Sequence, residues 1–133
     1  MKLVDFHTHC FPDAIAERAV EKLAHDSGGL IPYTDGTVTG LEKSMEQNGV
    51  SLSVILSIAT NAHQQKKVND FAAAINNRGG ICAFGSVFPD APDALYELER
   101  IKSLGLKGVK LHPEYQGFFV DCPEIRRIVK KCE

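Results

Sequence analysis

Four apolar runs of strand length alternate with helix-patterned segments along the chain, and that order admits few folds. The runs are Lys2–His9, Leu52–Ile58, Ile81–Phe88 and Leu106–His112. Leu52–Ile58 is almost continuously apolar, as expected of a parallel strand covered on both faces. Between them, helices are predicted over Asp13–Ala24, with Ile15, Ala19, Val20 and Leu23 at helical spacing, and over Ala62–Asn77, with Val68, Phe71, Ala72 and Ile75 inward. Ala94–Ser103, carrying Leu95, Leu98 and Ile101 and closed by Gly105, is a third. Asp13 is the predicted N-cap of the first helix. The pattern Thr39-x-x-Glu42 predicts a capping box for a short helix ending at Gly49. Asp121-x-x-Glu124, with Pro123 in the first turn, predicts another for a final helix. The stretch Ser27–Val38, with Gly28, Gly29, Pro32 and Gly36, reads as a loop long enough to cover something.

Strands each followed by a helix imply a parallel sheet with right-handed crossovers. An open doubly wound sheet and a piece of a (β/α)8 barrel both satisfy that order. The glycine-rich turn of dinucleotide-binding domains is missing after the first strand, and no phosphate loop occurs elsewhere. Barrel enzymes keep their chemistry at the C-terminal ends of the strands. Here His7 and His9 end the first strand, and Lys110 and His112 end the fourth. The fold expected is therefore α/β, a single domain over residues 1–133. It comprises the N-terminal half, four βα units, of a TIM barrel.

In Leu-Val-Asp-Phe-His-Thr-His (3–9), strand alternation predicts Asp5, His7 and His9 on one face and Val4, Phe6 and Thr8 on the other. Two neutral imidazoles at this spacing can converge on one divalent ion, with further ligands from elsewhere. By the same alternation, Lys110 and His112 share a face while Val109 and Leu111 meet the helices. A cation and an imidazole off the helix side of a buried strand need partners or a polar cavity. Lys110 fits either an ion pair with Asp5 or a role at substrate or metal. His112 fits either substrate contact or metal ligation. His25 and His63 fall in helical segments and read as solvated, and Cys10 points away from the imidazole pair. The aromatic stretch Tyr115–Phe119 either lines a pocket or covers the sheet.

Composition narrows the partners. A formal charge of −2 over 133 residues, with scattered Lys and Arg, gives nucleic-acid binding little electrostatic support. The four cysteines (Cys10, Cys82, Cys122, Cys132) form no Cys-x-x-Cys pair, consistent with reduced thiols and a cytoplasmic location. Lys2 and Asp5 interrupt the N-terminal run, so neither a signal peptide nor a membrane span is expected.

At Val-Asp-Phe-His-Thr-His and Gly-Leu-Lys-Gly-Val-Lys-Leu-His-Pro-Glu-Tyr-Gln-Gly-Phe the chain resembles the amidohydrolase superfamily. It is most similar to the branch of metal-dependent TIM-barrel hydrolases that also contains decarboxylases and hydratases. The βα order between the two motifs agrees, so the resemblance covers the whole chain. It implies a divalent ion, usually zinc, with His7 and His9 as ligands. It also implies a later-strand histidine and a strand-eight aspartate that serves as base. Lys110 lies near the position where some branches carry a carboxylated lysine, though its motif differs. A complete barrel has about 250 residues, so the later histidine and the aspartate have no counterpart here. The implied function is a metal-dependent hydrolase acting on a small molecule through metal-activated water, with Lys110 and His112 meeting substrate. The alternatives are decarboxylation or hydration of a small carboxylic acid, or an inactive half-barrel that binds only metal or a partner. Open sheet edges predict self-association if the half-barrel is natural, and a fragment of a longer barrel is the favoured competing explanation.

Overall fold

A computed structural model describes residues 2–133. The chain runs β1 (Leu3–Thr8), α1 (Asp13–Asp26), α2 (Val38–Asn48), β2 (Val50–Leu56), a 3-10 turn (Ala62–Gln64) and α3 (Gln65–Ile75). It continues through β3 (Ile81–Phe84), α4 (Ala94–Ser103), the single turn α5 (Pro113–Gln116) and α6 (Pro123–Cys132). Among the described residues no helix is long and apolar enough to cross a membrane.

Helix positions agree with the hydrophobic periodicity, but three predicted caps do not. Pro12 occupies the N-cap of α1, and Asp13 is its first helical residue, where its charge suits the positive end of the helix dipole. α2 is capped by Thr37, whose hydroxyl accepts from the Gly40 N–H at 2.9 Å, while Thr39 lies inside the helix. Glu42 is therefore free of capping and makes a two-pronged pair with Arg78, 2.7 Å on each arm. Cys122, not Asp121, precedes α6, with Pro123 in the first turn as expected. The predicted helix over Ala62–Asn77 splits into the 3-10 turn and α3. It stops at Ile75 because Asn76 is extended and Asn77 adopts φ 67°.

β1, β2 and β3 form a parallel sheet in that order. The fourth strand is not realised as a strand. Leu106–His112 contributes one bridge, Val109 to Gly85, in which Gly85 N–H donates to Gly108 O (2.9 Å) and Lys110 N–H to Gly85 O (2.8 Å). β3 is correspondingly short. Beyond Gly85 the Ser86 N–H turns to the Asn69 side chain (2.8 Å) instead of a neighbouring strand. The ring of Phe84 lies over Gly108, where a side chain would collide with it.

The β1–β2 register also shifts twice, between Leu3 and Val4 and between Asp5 and Thr8, and the second shift changes the face of β1. Asp5 pairs with Ser53 and Thr8 with Ile55, so three steps on β1 match two on β2. An extra residue of this kind is a bulge, and it resets which face follows. Partners across a ladder share a face. Asp5 and Thr8 therefore lie on the side of Ile55, which belongs to the helix-covered core. Phe6 sits on the opposite face, edge-on to Phe84 at 6.0 Å. Asp5 thus leaves the face predicted for it, and Phe6 takes its place.

The main core lies on the helix side of the sheet, with Val54 and Leu56 buried on the other face. Ile55, Ile81 and Ala83 pack against Met45 of α2, Ala72 and Ile75 of α3, Leu98 and Ile101 of α4, and Ile125 and Ile128 of α6. No helix covers the opposite face among the described residues, and Phe6 is 63 % exposed there. A buried polar cluster ties the helices to the strand ends. The Asn69 amide, fully buried, donates to Ser86 O (2.9 Å) and to Glu97 Oε1 (2.7 Å). Glu97 in turn accepts from Arg100, which also reaches Asp70 at 2.7 Å. Replacing Asn69 by Ala strands the Ser86 N–H and removes a donor from Glu97. The expected cost is about 2–4 kcal/mol in urea unfolding, since each orphaned buried group costs roughly 1–3 kcal/mol.

Candidate functional site

The ends of β1 and β2, the turn after Lys110, and the inward sides of α1 and α3 enclose a cleft of about 870 Å³. His7, His9, His112 and Tyr115 line it, together with Ile15 and Leu23 of α1 and Val68 and Phe71 of α3. His7 and His9 therefore meet His112, far away in sequence, around one mouth, while Lys110 is not among the lining residues.

The bulge in β1 leaves Thr8 buried, where its hydroxyl donates to Val54 O at 2.9 Å. That anchors the residue between the two imidazoles and turns both toward the cleft. Their ring centres are 5.2 Å apart and inclined at 63°. With zinc–nitrogen bonds of about 2.0–2.1 Å each ring centre sits about 3.2 Å from the ion, so two rings at a tetrahedral angle lie roughly 5.2 Å apart. The pair fits two corners of a tetrahedral site. Among the described residues no third His, Cys, Asp or Glu gathers with them to complete it.

The His9 pKa lies below the 6.5 of a free imidazole. Burial is the main cause, followed by the neighbouring His7, while hydrogen bonding to the Leu56 backbone opposes the shift and Lys110 and His112 add to it. Neutral imidazole is the ligating form, so this environment keeps a nitrogen lone pair available near neutral pH. Cys10, beyond the end of β1, is buried in the wall of the same cleft, and burial together with Glu42 pushes its thiol up to about 11.

Lys110 is half-buried, and its charge is felt at His9. Among the described residues no ion pair joins it to Asp5, whose carboxylate instead accepts from the His7 N–H at 3.2 Å. That is the consequence of the bulge, which moves Asp5 to the other face. His112 caps α5: its Nδ1 accepts from the Tyr115 N–H at 3.4 Å, and the Tyr115 ring stacks on it at 4.4 Å. An accepting Nδ1 puts the proton of the neutral ring on Nε2, which makes His112 a donor. The aromatic stretch divides accordingly, with Tyr115 in the cleft and Phe119 exposed away from it. His25 and His63 are exposed, as expected.

Sequence reasoning missed Gln116, which is buried beneath the mouth. Its Nε2 donates to Ala59 O and to Val87 O, both at 2.8 Å, and its Oε1 accepts from the His112 N–H at 2.7 Å. Ser86 plays a parallel part, accepting from the Ala59 N–H at 3.1 Å and donating to Lys110 O at 2.8 Å. The available signal was a Gln following a His-Pro turn, close to the reach-back of a capping box.

Two measurements check this geometry. In ring-nitrogen NMR of the metal-free chain, His9 is expected to titrate below 6.5 and to move back upward in Lys110→Met. A depressed histidine pKa contributes stability present above pH 6.5 and lost as pH falls through the folded pKa, so acid should weaken the fold in that window. Gln116→Leu removes three buried bonds at once and is expected to cost about 2–4 kcal/mol in urea unfolding. A neutral outcome would show that the mouth is held otherwise.

No protein-family model matches the chain, and no curated protein does. Among solved structures, it is similar to the crystal structure of a probable 2-pyrone-4,6-dicarboxylic acid hydrolase from Acinetobacter baumannii with citric acid bound, at 15 % identity and a TM-score of 0.54. The likeness covers 99 % of this chain and 46 % of that one, so this chain spans about half the length of the structure it matches. At that identity the likeness establishes a shared fold: an α/β arrangement with a parallel sheet and outer helices, consistent with part of a barrel.

Proposed function

We propose that the chain carries the first part of a metal-dependent hydrolase site, with His7 and His9 as ligands of a divalent ion, most naturally zinc. The observation that carries this reading is the 5.2 Å separation of the two rings. When bound, such an ion supplies Lewis acidity and acidifies water toward neutral pH. The chain's own groups bind and orient. His9, kept neutral by burial, offers its lone pair, and Thr8 fixes the backbone between the ligands. His112 donates from Nε2 to a substrate oxygen, which makes it a substrate contact and not a ligand. Lys110 balances negative charge on the substrate next to His9. Likeness to a hydrolase is the support for hydrolysis over decarboxylation or hydration on this fold.

The remaining ligands and the base would come from further strands closing over the open sheet face. Leu3, Val4 and Phe6 are exposed on the edge strand β1, a surface suited to such pairing. The test is the zinc content of the 133-residue chain after chelator washing and reloading, read together with its mass in solution. One ion per chain, or one per two chains in a dimer, is expected. His7→Ala and His9→Ala are each expected to lower zinc affinity at least ~100-fold, the scale of losing one ligand of a closed site. Unchanged zinc binding in both variants would remove them from the site.

A further inference from the structure

Beside the main cleft lies a second, smaller hollow of about 370 Å³. Val20, Leu23 and Ala24 of α1 form its floor, Phe11 one end, and Leu30 and Ile31 the strap that joins α1 to α2 above it. His9, Phe11 and Leu23 border both spaces, so the two adjoin at His9. Charge divides them. Arg18, Lys22, Asp26 and Lys67 line the main cleft, whereas among the described residues no charged side chain borders the hollow. Thr34, one of its two hydroxyls, is already engaged, accepting from the Gly36 N–H at 3.1 Å.

The strap is tied at its ends and free between them. The Gly28 and Gly29 N–H groups donate to His25 O (3.1 Å) and Ala24 O (2.9 Å), and the Phe11 N–H donates to Gly36 O (2.8 Å). Gly36 lies so close to α1 that a side chain there would collide with Val20. Among the described residues no backbone hydrogen bond holds the strap from Leu30 to Tyr33. Leu30 and Ile31 are 67 % and 78 % exposed although they border an apolar hollow. Apolar surface around an uncharged space disfavours a charged occupant, which would lose hydration without gaining a partner, and favours an apolar one.

We propose that the hollow holds an uncharged, branched-alkyl group of the substrate while the bond to be cleaved lies at His7 and His9. The proposal rests on the reading of the main cleft as a hydrolase site and adds a determinant of its substrate. An apolar cavity of about 150 Å³ takes one benzene molecule, so this hollow, open on one side, has room for an isobutyl-sized group. Such a group covers the strap and the floor together.

The test is NMR titration of the metal-free 133-residue chain with 4-methylpentanamide, succinamate and acetamide. The first two have nearly the same shape and differ in ending on isopropyl or carboxylate, and acetamide lacks that end. 4-Methylpentanamide is expected to shift the His9 ring and the Gly36 amide. It should bind about tenfold more tightly than either other amide, below the gain for full burial of its extra carbons. Its binding should be indifferent to salt, since no charge takes part. Ala24→Leu fills the hollow from a half-buried helix position and is expected to weaken 4-methylpentanamide about tenfold. Ile31→Ser alters an exposed strap position without touching the core and should weaken it about threefold. Glu21→Gln, exposed on α1 and outside both spaces, should leave it unchanged. Equal or tighter binding of succinamate would overturn the proposal, as would binding indifferent to both Ala24→Leu and Ile31→Ser, or no shift with any amide. Zinc uptake by the same preparations separates the two readings. An apolar preference without zinc binding defeats the metal assignment and supports the alkyl site. Zinc binding without that preference defeats the alkyl site alone.

Discussion

The mouth of this fold depends on one buried side-chain amide. Gln116 bonds the carbonyls beyond β2 and β3 and the N–H of His112, so three loop ends that share no ladder at that level are held in one place. In a continuous sheet the backbone of a fourth strand would do this. Here that strand is reduced to a single bridge at Val109, and Ser86, Asn69 and Gln116 replace its hydrogen bonds. The substitution is feasible only because each group is satisfied in the dry interior, where an orphaned donor or acceptor is costly. It also concentrates the position of Lys110 and His112 in a few polar residues, not in a ladder.

What the sequence made legible follows from period and type. The inward stripes of α3 and α4 are repeated apolar spacings, and Ala72, Ile75, Leu98 and Ile101 are all in the core. The encounter of His7 and His9 with His112 was also legible, because parallel strand ends fall on one side of a sheet and both motifs end apolar runs. The bulge between Asp5 and Thr8 was not. Nothing in Asp-Phe-His-Thr marks an extra residue, since the register is set by the partner strand, which a local pattern cannot see. The fourth strand failed for a related reason. Its apolar alternation is real, with Val109 and Leu111 against the core, but it meets its neighbour only at Gly85, because β3 ends at Phe84 and the Ser86 N–H is taken by Asn69. Caps were misassigned where two candidates lay close in sequence, as with Thr37 and Thr39. Asp35 decided between them by accepting from both the Thr37 N–H and its hydroxyl, at 2.8 Å each.

One-sided packing leaves the second face of the sheet open beside the gathered imidazoles. The helices bury Ile55, Ile81 and Ala83 on one face of the sheet, which suffices for a core of this size. The other face, with Phe6 and Phe84, has no layer over it among the described residues. In a closed barrel that face is interior, and the strand ends around it form a full ring of functional positions. An arc of such a ring can bring two imidazoles to tetrahedral spacing because they flank Thr8 at the end of one strand.

That division assigns different tasks to the two sides of the cleft. The strand ends carry groups whose positions the sheet and Gln116 fix closely, which suits coordination and proton placement. The cations Arg18 and Lys67 ride on helices, and α1 buries little beyond Ala16. A helix so lightly anchored can adjust to the length of a ligand at little cost, whereas a shift of the imidazole pair would break its spacing. The two sides of the cleft therefore differ in how firmly they are held, the imidazole end being fixed by the sheet and Gln116 and α3 by its buried Asn69, while α1 is the freer wall.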